Sequence, residues 1–390
     1  MDGREMKSPL LDKNVNRRTA LWRLAGTAAA AAGLHEAVFA QGKTLRIGAT
    51  FDNSGPEKIN GSGLFQGSTA YFDAVNRAGG INGMKVELVM TDDQFNPDIA
   101  QRNALAFHAD PSVLAIVHPL GTRQTAAVMD AVKDMAIVGP NTGTVALRKK
   151  PSPNTFWARA NYEQEIEKLI STAATLGITK IGLVYSKDPL GAGLLVAFNA
   201  VCEENKIKPV VIATTPSTTS PEVDPAAREI AKAAPQVVIV GLGAGSTPLF
   251  VRALSKAGGT STIYGLSIAM SAQNIRDLGA LSRGLGFSIV VPSPFATKYD
   301  IVRRYQADME AGGSKDFSLP SLEGYIDARV LAEGLRRAGP APTRASVIAA
   351  LEQIESLDLG GVRIAYGKGA REGNHFVDVA VIGREGRFMN

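Results

Sequence analysis

Tyr71-Phe-Asp-Ala-Val-Asn-Arg-Ala-Gly-Gly-Ile-Asn-Gly83 is the stretch on which the fold turns. Over residues 63–78, Leu64, Ala70, Tyr71, Ala74 and Val75 recur at helical spacing on one face. Gly79-Gly80 closes that helix, because glycine takes the left-handed conformation of a helix end at little cost. Ile81-Asn82-Gly83 then turns the chain into an apolar run at 85–93, which reads as a strand. Upstream, Leu45-Arg-Ile-Gly-Ala-Thr-Phe51 is a second strand, entering the turn-rich Asp52-Asn-Ser-Gly-Pro56. The unit is strand, helix, strand, and strands joined this way lie parallel.

The same alternation continues on both sides of a break near residue 161. Helices over 97–108 and 122–135 separate strands at 113–117 and 136–139. The pattern restarts with a helix over 162–176 and runs through strands at 180–185, 210–213, 237–240, 262–265 and 287–291. Short, continuously apolar runs separated by helices describe parallel sheets buried on both faces. The economical fold is α/β: two doubly wound parallel-sheet lobes. The tail departs from the rhythm, with three successive helices at 299–311, 321–337 and 344–354, then a hairpin-like pair of segments at 359–366 and 376–382. Three helices cannot complete a third α/β domain, so they are expected to pack back on the lobes. The predicted division is lobe 1 over 43–161 plus 295–358 and lobe 2 over 162–294 plus 359–390, with several crossovers between them.

Composition narrows the function classes. Of 390 residues, 45% are apolar and 20% charged, enough to build a core. The 42 basic and 37 acidic residues are interspersed, so the net charge of +5 leaves no footprint for nucleic acid or a membrane surface. A single cysteine, Cys202, excludes an internal disulfide and cysteine-based metal clusters. His108, His118 and His375 are too widely spaced to form a helical zinc pair. No cofactor and no metal are expected.

The first forty residues read as an export signal. Asn16-Arg17-Arg18-Thr19-Ala20-Leu21 places paired arginines before an apolar stretch that ends at Leu34, and Val38-Phe39-Ala40 offers small residues before a cleavage point after about Ala40. The stretch falls short of the ~20 residues a membrane span needs. The paired arginines point to twin-arginine export, while Ala20 keeps the general secretory route open. The expected location is the periplasm, with no membrane-embedded segment.

The order of Leu45–Thr50, Tyr71–Gly83, Leu88-Val-Met-Thr-Asp-Asp93 and Ser321-Leu-Glu-Gly-Tyr325 resembles the periplasmic solute-binding proteins of ABC importers, of the branched-chain-amino-acid-binding type. The resemblance covers essentially all of 43–390. It implies a type I periplasmic binding fold, a Venus-flytrap whose lobes share a three-strand hinge. It also implies a small-molecule ligand held between the lobes and delivery to an inner-membrane ABC permease; a monomer is expected. A ligand sensor of the same fold is the alternative binding role.

Ligands of open α/β sheets sit beyond the carboxyl ends of the strands. The candidates are therefore Asn53 and Ser54; Leu120, Gly121, Thr122 and Arg123; Thr142 and Gly143; Tyr162 at the first crossover; and Asp188, Leu190, Gly243 and Ser267 in the second lobe. Gly121-Thr122 opens a helix whose first N–H groups suit an anion, and the resemblance assigns this loop to a ligand carboxylate. Arg123 either adds a charged contact or faces solvent. Amino-acid-binding relatives carry a threonine and an acid near the ligand's ammonium, where this chain has Gly143 and Ser267. Asp188 either replaces that charge or caps the helix that follows it. The expected ligand is thus a small carboxylate-bearing solute, an amino acid or an aromatic or aliphatic acid, anchored by its anionic end.

Two enzyme motifs are weak. Gly241-Leu-Gly-Ala-Gly-Ser246 resembles a dinucleotide loop but carries serine at the third glycine position, and no acid ends the next strand. Gly265-Leu-Ser-Ile-Ala269 resembles a nucleophile elbow, with Asp300 or Asp327 and His375 following in hydrolase order. An esterase-like hydrolase using Ser267 is the second function class; the expectation is that the protein is not an enzyme.

Overall fold

The computed structural model describes residues 44–389, apart from Met270, Lys368 and 385–387. The export signal read at 1–40 lies outside the described residues.

Five strands form the first sheet: β1 (Leu45–Phe51), β2 (Val86–Asp92), β3 (Val113–Val117), β4 (Ala136–Val138) and β5 (Thr155–Phe156). They are parallel, in the order β2-β1-β3-β4-β5. One face is covered by α1 (Lys58–Arg77), the other by α2 (Pro97–Ala109) and α3 (Thr122–Ala131). Every residue of β3 and β4 is buried, as strands covered on both faces must be. A four-residue helix, α4 (Val145–Arg148), follows β4.

The second sheet is built on β6 (Ile181–Ser186), β7 (Val211–Thr215), β8 (Val237–Gly241), β9 (Thr262–Gly265) and β10 (Gly286–Ile289), all parallel. Its helices are α5 (Tyr162–Thr175), α6 (Pro189–Glu204), α7 (Asp224–Ala233), α8 (Thr247–Lys256) and α9 (Ala272–Leu278). The tail helices α10 (Asp300–Ala311), α11 (Leu319–Arg337) and α12 (Arg344–Glu352) return to the first sheet and join its core. The fold is therefore α/β with two parallel-sheet lobes.

The hairpin reading of the tail is corrected. Segments 359–366 and 376–382 do not pair with each other. A small hairpin joins β11 (Leu357–Asp358) to β12 (Arg363–Ile364), and β13 (Asp378–Ile382) adds antiparallel to β10, followed by β14 (Phe388–Met389). Leu359, Val362, Ile364 and Tyr366 sit in the first lobe's core, whereas the sequence division put them in lobe 2. Their apolar side chains fill the space beside α10 and α11, which the distant strand could not reach.

The helix α11 packs unusually close to α1. A Cβ added at Gly67 would overlap the Ser321 carbonyl, and one added at Gly324 would overlap the Leu64 carbonyl. Just beyond this contact, Tyr71 and Tyr325 meet edge to face with ring centroids 5.2 Å apart. The Tyr71 and Ser321–Tyr325 motifs thus meet in space at one helix–helix contact.

The chain crosses between the lobes three times, near 157–161, 290–299 and 365–377. Trp157 and Glu372 form a parallel bridge, with the Trp157 N–H donating to Arg371 O (2.8 Å) and the Gly373 N–H to Trp157 O (2.9 Å). Asn374 Nδ2 donates to Ala158 O (2.8 Å) and to Val290 O (3.4 Å), tying all three crossovers together. A few crossover residues of this kind can absorb the dihedral changes of hinge closure around a ligand.

Candidate ligand-binding cleft

In each sheet the strand order reverses once, between β1 and β3 in the first and between β6 and β8 in the second. The loops leaving these strands are where doubly wound folds take ligands, and the two sets face each other. Glu57, after β1, has its Oε1 2.8 Å from where a Cβ on Gly243, after β8, would lie. Thr144, after β4, likewise stands 3.2 Å from a Cβ built on Gly193 of α6. The lobes are closed on each other.

Between them lies a narrow slot of about 20 Å³, room for about one water molecule. That is far below the ~300–1,000 Å³ typical of small-molecule sites, so the lobes must part to admit a solute. Its polar lining is Asn60, Asn141, Arg159, Ser267 and Glu323; its apolar walls include Ile268, Ile289, Val291 and Leu319. Asn60 also lines a wider cavity of about 290 Å³ together with Glu57, Ala244, Gly245 and Arg252.

Arg159 is the centre of the slot. It is buried on the first crossover, with Nη2 3.2 Å from Glu165 Oε1 and 2.5 Å from Ser267 Oγ, and Nη1 3.3 Å from Glu323 Oε1. Burial pulls a guanidinium's pKa down, but here the Glu323 and Glu165 carboxylates more than offset it, so Arg159 is held charged. Its Nε–H is buried and has no acceptor among the described residues. An unmet buried donor on a cation costs free energy that an anionic ligand would recover.

The two glutamates differ. Glu165 accepts from Ser267 N (2.9 Å), Ser267 Oγ (3.0 Å) and Ser288 Oγ (2.6 Å) besides Arg159. Glu323 accepts one hydrogen bond, from Asn141 Nδ2 (2.9 Å). Burial pushes the Glu323 carboxyl up to about 7; Arg159 opposes this, while Asp327 and Glu165 add to it. In the wider cavity, burial also raises Glu57 to about 7, although Asn60 Nδ2 donates to it at 2.8 Å.

Of the sequence candidates, Ser267 lines this slot, and Thr142 follows its Asn141 in the chain. The Gly121 N–H, expected to be free for an anion, donates to Asn141 O (3.2 Å), which leaves the amides from Thr122 onward as the open helix end. Thr122 and Thr142 share a hydroxyl hydrogen bond (2.9 Å), and the Tyr162 N–H donates to Gly143 O (2.8 Å). A Cβ at Gly143 would run into the Tyr162 ring, so the threonine of amino-acid-binding relatives has no room here. Tyr162 is buried against this loop, and its ring centroid lies 6.0 Å from the Arg159 guanidinium. Ser267 belongs to the Arg159–Glu165 cluster.

Others are engaged elsewhere. Asp188 does not supply a free charge: it caps α6 through Gly191 N (3.0 Å) and also accepts from Ser186 Oγ (2.9 Å) and the Thr218 N–H and hydroxyl. Leu190 is a core residue of the second lobe. Arg123 is exposed. Asn53 N and Ser54 Oγ both donate to the Asp92 carboxylate (2.9 and 2.6 Å), closing the loop after β1 rather than entering the slot.

Sequence reading missed Arg159 and Glu323. The available signal was a lone arginine between alanines in Trp157-Ala-Arg-Ala-Asn161, at the end of an otherwise buried run.

The hydrolase constellation does not assemble. Ser267 pairs with Arg159 and Glu165, His375 Nδ1 with the Gln164 side-chain amide (2.8 Å), and Asp300 with Arg303 and Arg304. Asp327 instead accepts from His118 Nδ1 (3.1 Å), whose Nε2 meets Ser68 Oγ. This series has the serine–histidine–acid order, but all three residues are fully buried. Ser68 Oγ is also within hydrogen-bond distance of the Leu64 and Gly324 carbonyls (3.0 and 3.1 Å), so the series fastens α1 and α11 to the end of β3. Among the described residues, no group of three or more His, Cys, Asp or Glu is placed to hold a metal, and no helix is long and apolar enough to cross a membrane.

The architecture recurs in solved structures. A substrate-binding periplasmic protein from Ralstonia solanacearum superposes with a TM-score of 0.82 at 29% identity, covering 88% of this chain and 99% of that one. An extracellular ligand-binding receptor from Verminephrobacter eiseniae gives 0.81 at 27% identity, with coverages of 89% and 100%. A solute-binding protein of an ABC transporter from R. palustris, solved with benzoate, gives 0.78 at 16% identity, with coverages of 89% and 95%; that likeness is one of fold. No curated protein matches the chain. The sequence profile of the periplasmic binding proteins matches residues 44–386, the whole two-lobed body, and the chain belongs to that family.

Proposed function

We propose that the protein is the periplasmic receptor of an ABC importer, taking a small carboxylate-bearing solute into the interlobe cleft and delivering it to a membrane permease. The observation that carries this reading is Arg159, a buried guanidinium in the slot whose Nε–H lacks an acceptor. Apolar walls beside one cation suit an acid with a hydrophobic body, aromatic or aliphatic, and an amino acid is the other member of the class. Benzoate in the R. palustris protein of the same fold is in keeping with this. Residues 1–40 would carry the chain to the periplasm and be removed there. One lobe would hold the solute first, and the other would close over it and exclude water.

Calorimetric titration against benzoate, 4-hydroxybenzoate, octanoate and leucine, with benzamide as the uncharged counterpart of benzoate, tests the reading. At least one carboxylate is expected to bind, and benzamide to bind at least ~10-fold more weakly than benzoate, since a hydrogen bond to a charged group contributes about 1.5–3 kcal/mol. Equal binding of the neutral amide, or no binding by any acid, would remove the basis for the proposal.

A further inference from the structure

The charges around the slot do not balance for a simple anion. One guanidinium, Arg159, already serves two buried carboxylates, Glu165 at 3.2 Å and Glu323 at 3.3 Å. One turn further along α11, buried Asp327 faces His118. From α1, Asn60 lines the slot, and its amide is tied to Glu57. Asn141 and Ser267 complete the polar lining, and the other walls are aliphatic. A ligand carboxylate at Arg159 would be the third around one cation, among buried charged groups, and a buried unpaired charge is neutralised before it is tolerated. Neutralisation requires either a proton or an ammonium group on the ligand itself.

Resting on the carboxylate reading of this cleft, we infer that the solute is a monocarboxylic acid without an ammonium group, bound together with one proton that ends on Glu323. The choice between the two glutamates follows from their donors. Glu165 already accepts from Ser267 N, Ser267 Oγ and Ser288 Oγ and pairs with Arg159, so both of its oxygens are occupied by donors. Glu323 has Asn141 and a guanidinium that the ligand would share, with Asp327 alongside. Burial has already brought Glu323 to about 7, so the proton is available near neutral pH. The step balances: the acid enters as its anion, one proton comes from solvent, and both leave when the lobes open. Gly143, closed off by the Tyr162 ring, leaves no threonine position to help hold an ammonium.

The sign of the pH dependence follows. A proton taken up on binding makes affinity independent of pH below the free Glu323 pKa, and weaker by up to tenfold per unit as pH rises above about 7. The test is calorimetry of benzoate with the full-length protein at pH 8, in Tris and in HEPES, whose ionisation enthalpies differ. The expected result is a buffer-dependent enthalpy corresponding to nearly one proton taken up per benzoate bound, falling off by pH 6. Glu323→Gln, uncharged at every pH, is expected to abolish the uptake and flatten the pH profile; the wild-type two-buffer measurement decides the matter even if that variant folds poorly. Benzoate binding with no buffer dependence would overturn the inference. So would leucine binding without proton uptake and more tightly than any simple acid. Failure of every acid to bind would overturn the cleft reading and this inference with it.

Discussion

Arg159→Gln is expected to lower the free energy of unfolding by about 3–5 kcal/mol at pH 8 and to abolish binding of acids, as measured by denaturant titration and calorimetry. Arg159, Glu165 and Glu323 are all buried. Removing the cation leaves two desolvated carboxylates with their serine and asparagine donors but no counter-charge. The loss should therefore depend on pH in a defined direction. Glu323 already titrates near 7, and without Arg159 its pKa rises further. Its neutral form is favoured as pH falls, so the variant's deficit should shrink below pH 7 and be largest above it. A variant as stable as wild type at pH 8 would show that the cluster is solvated rather than sealed between the lobes.

The second large effect lies away from the cleft. Gly324→Ala is expected to destabilise the protein by about 3 kcal/mol, at the upper end of what overpacking a core costs. A Cβ there falls on the Leu64 carbonyl of α1, and backbone cannot rotate aside as a side chain can. Alanine would by itself favour the helix by about 1 kcal/mol over glycine. That gain is smaller than the cost of separating α11 from α1, whose contact also seats Tyr71 against Tyr325 and Ser68 against His118. A neutral or stabilised Gly324→Ala protein, judged by its unfolding midpoint, would show that the helices are not in backbone contact.

These two residues mark where sequence reading stops. The alternation of strands and helices was legible because both sheets are covered on both faces, so central strands such as β3, β4 and β8 are continuous apolar runs. β5, two residues long, and α4, four residues long, are too short to show any period. The tail hairpin was misread because local pattern says that a segment is extended, not what it pairs with; β13 finds β10 far back in the chain. In the cleft, the loops after the strands were legible from topology alone, and Ser267, named from one of them, lines the slot. The charges were not. Arg159 is a single cation whose partners are Glu165, on the next helix, and Glu323, in the tail helix that folds back to the first lobe. Glu323 lay inside the Ser321–Tyr325 motif, but nothing local distinguishes an acid that faces a slot from one that faces solvent. Asp188 shows the converse: a residue that reads equally as a ligand group or a helix cap is decided only by Ser186 and Thr218, which converge on it in space.

The most direct test of the account is a crystal structure of the protein grown with an acid from the panel that calorimetry shows to bind. The prediction is a carboxylate between lobes parted enough to admit it, within hydrogen-bond distance of the Arg159 guanidinium, with its apolar body against Ile289 and Val291. Density for the acid outside the interlobe cleft, with the slot around Arg159 empty, would contradict it.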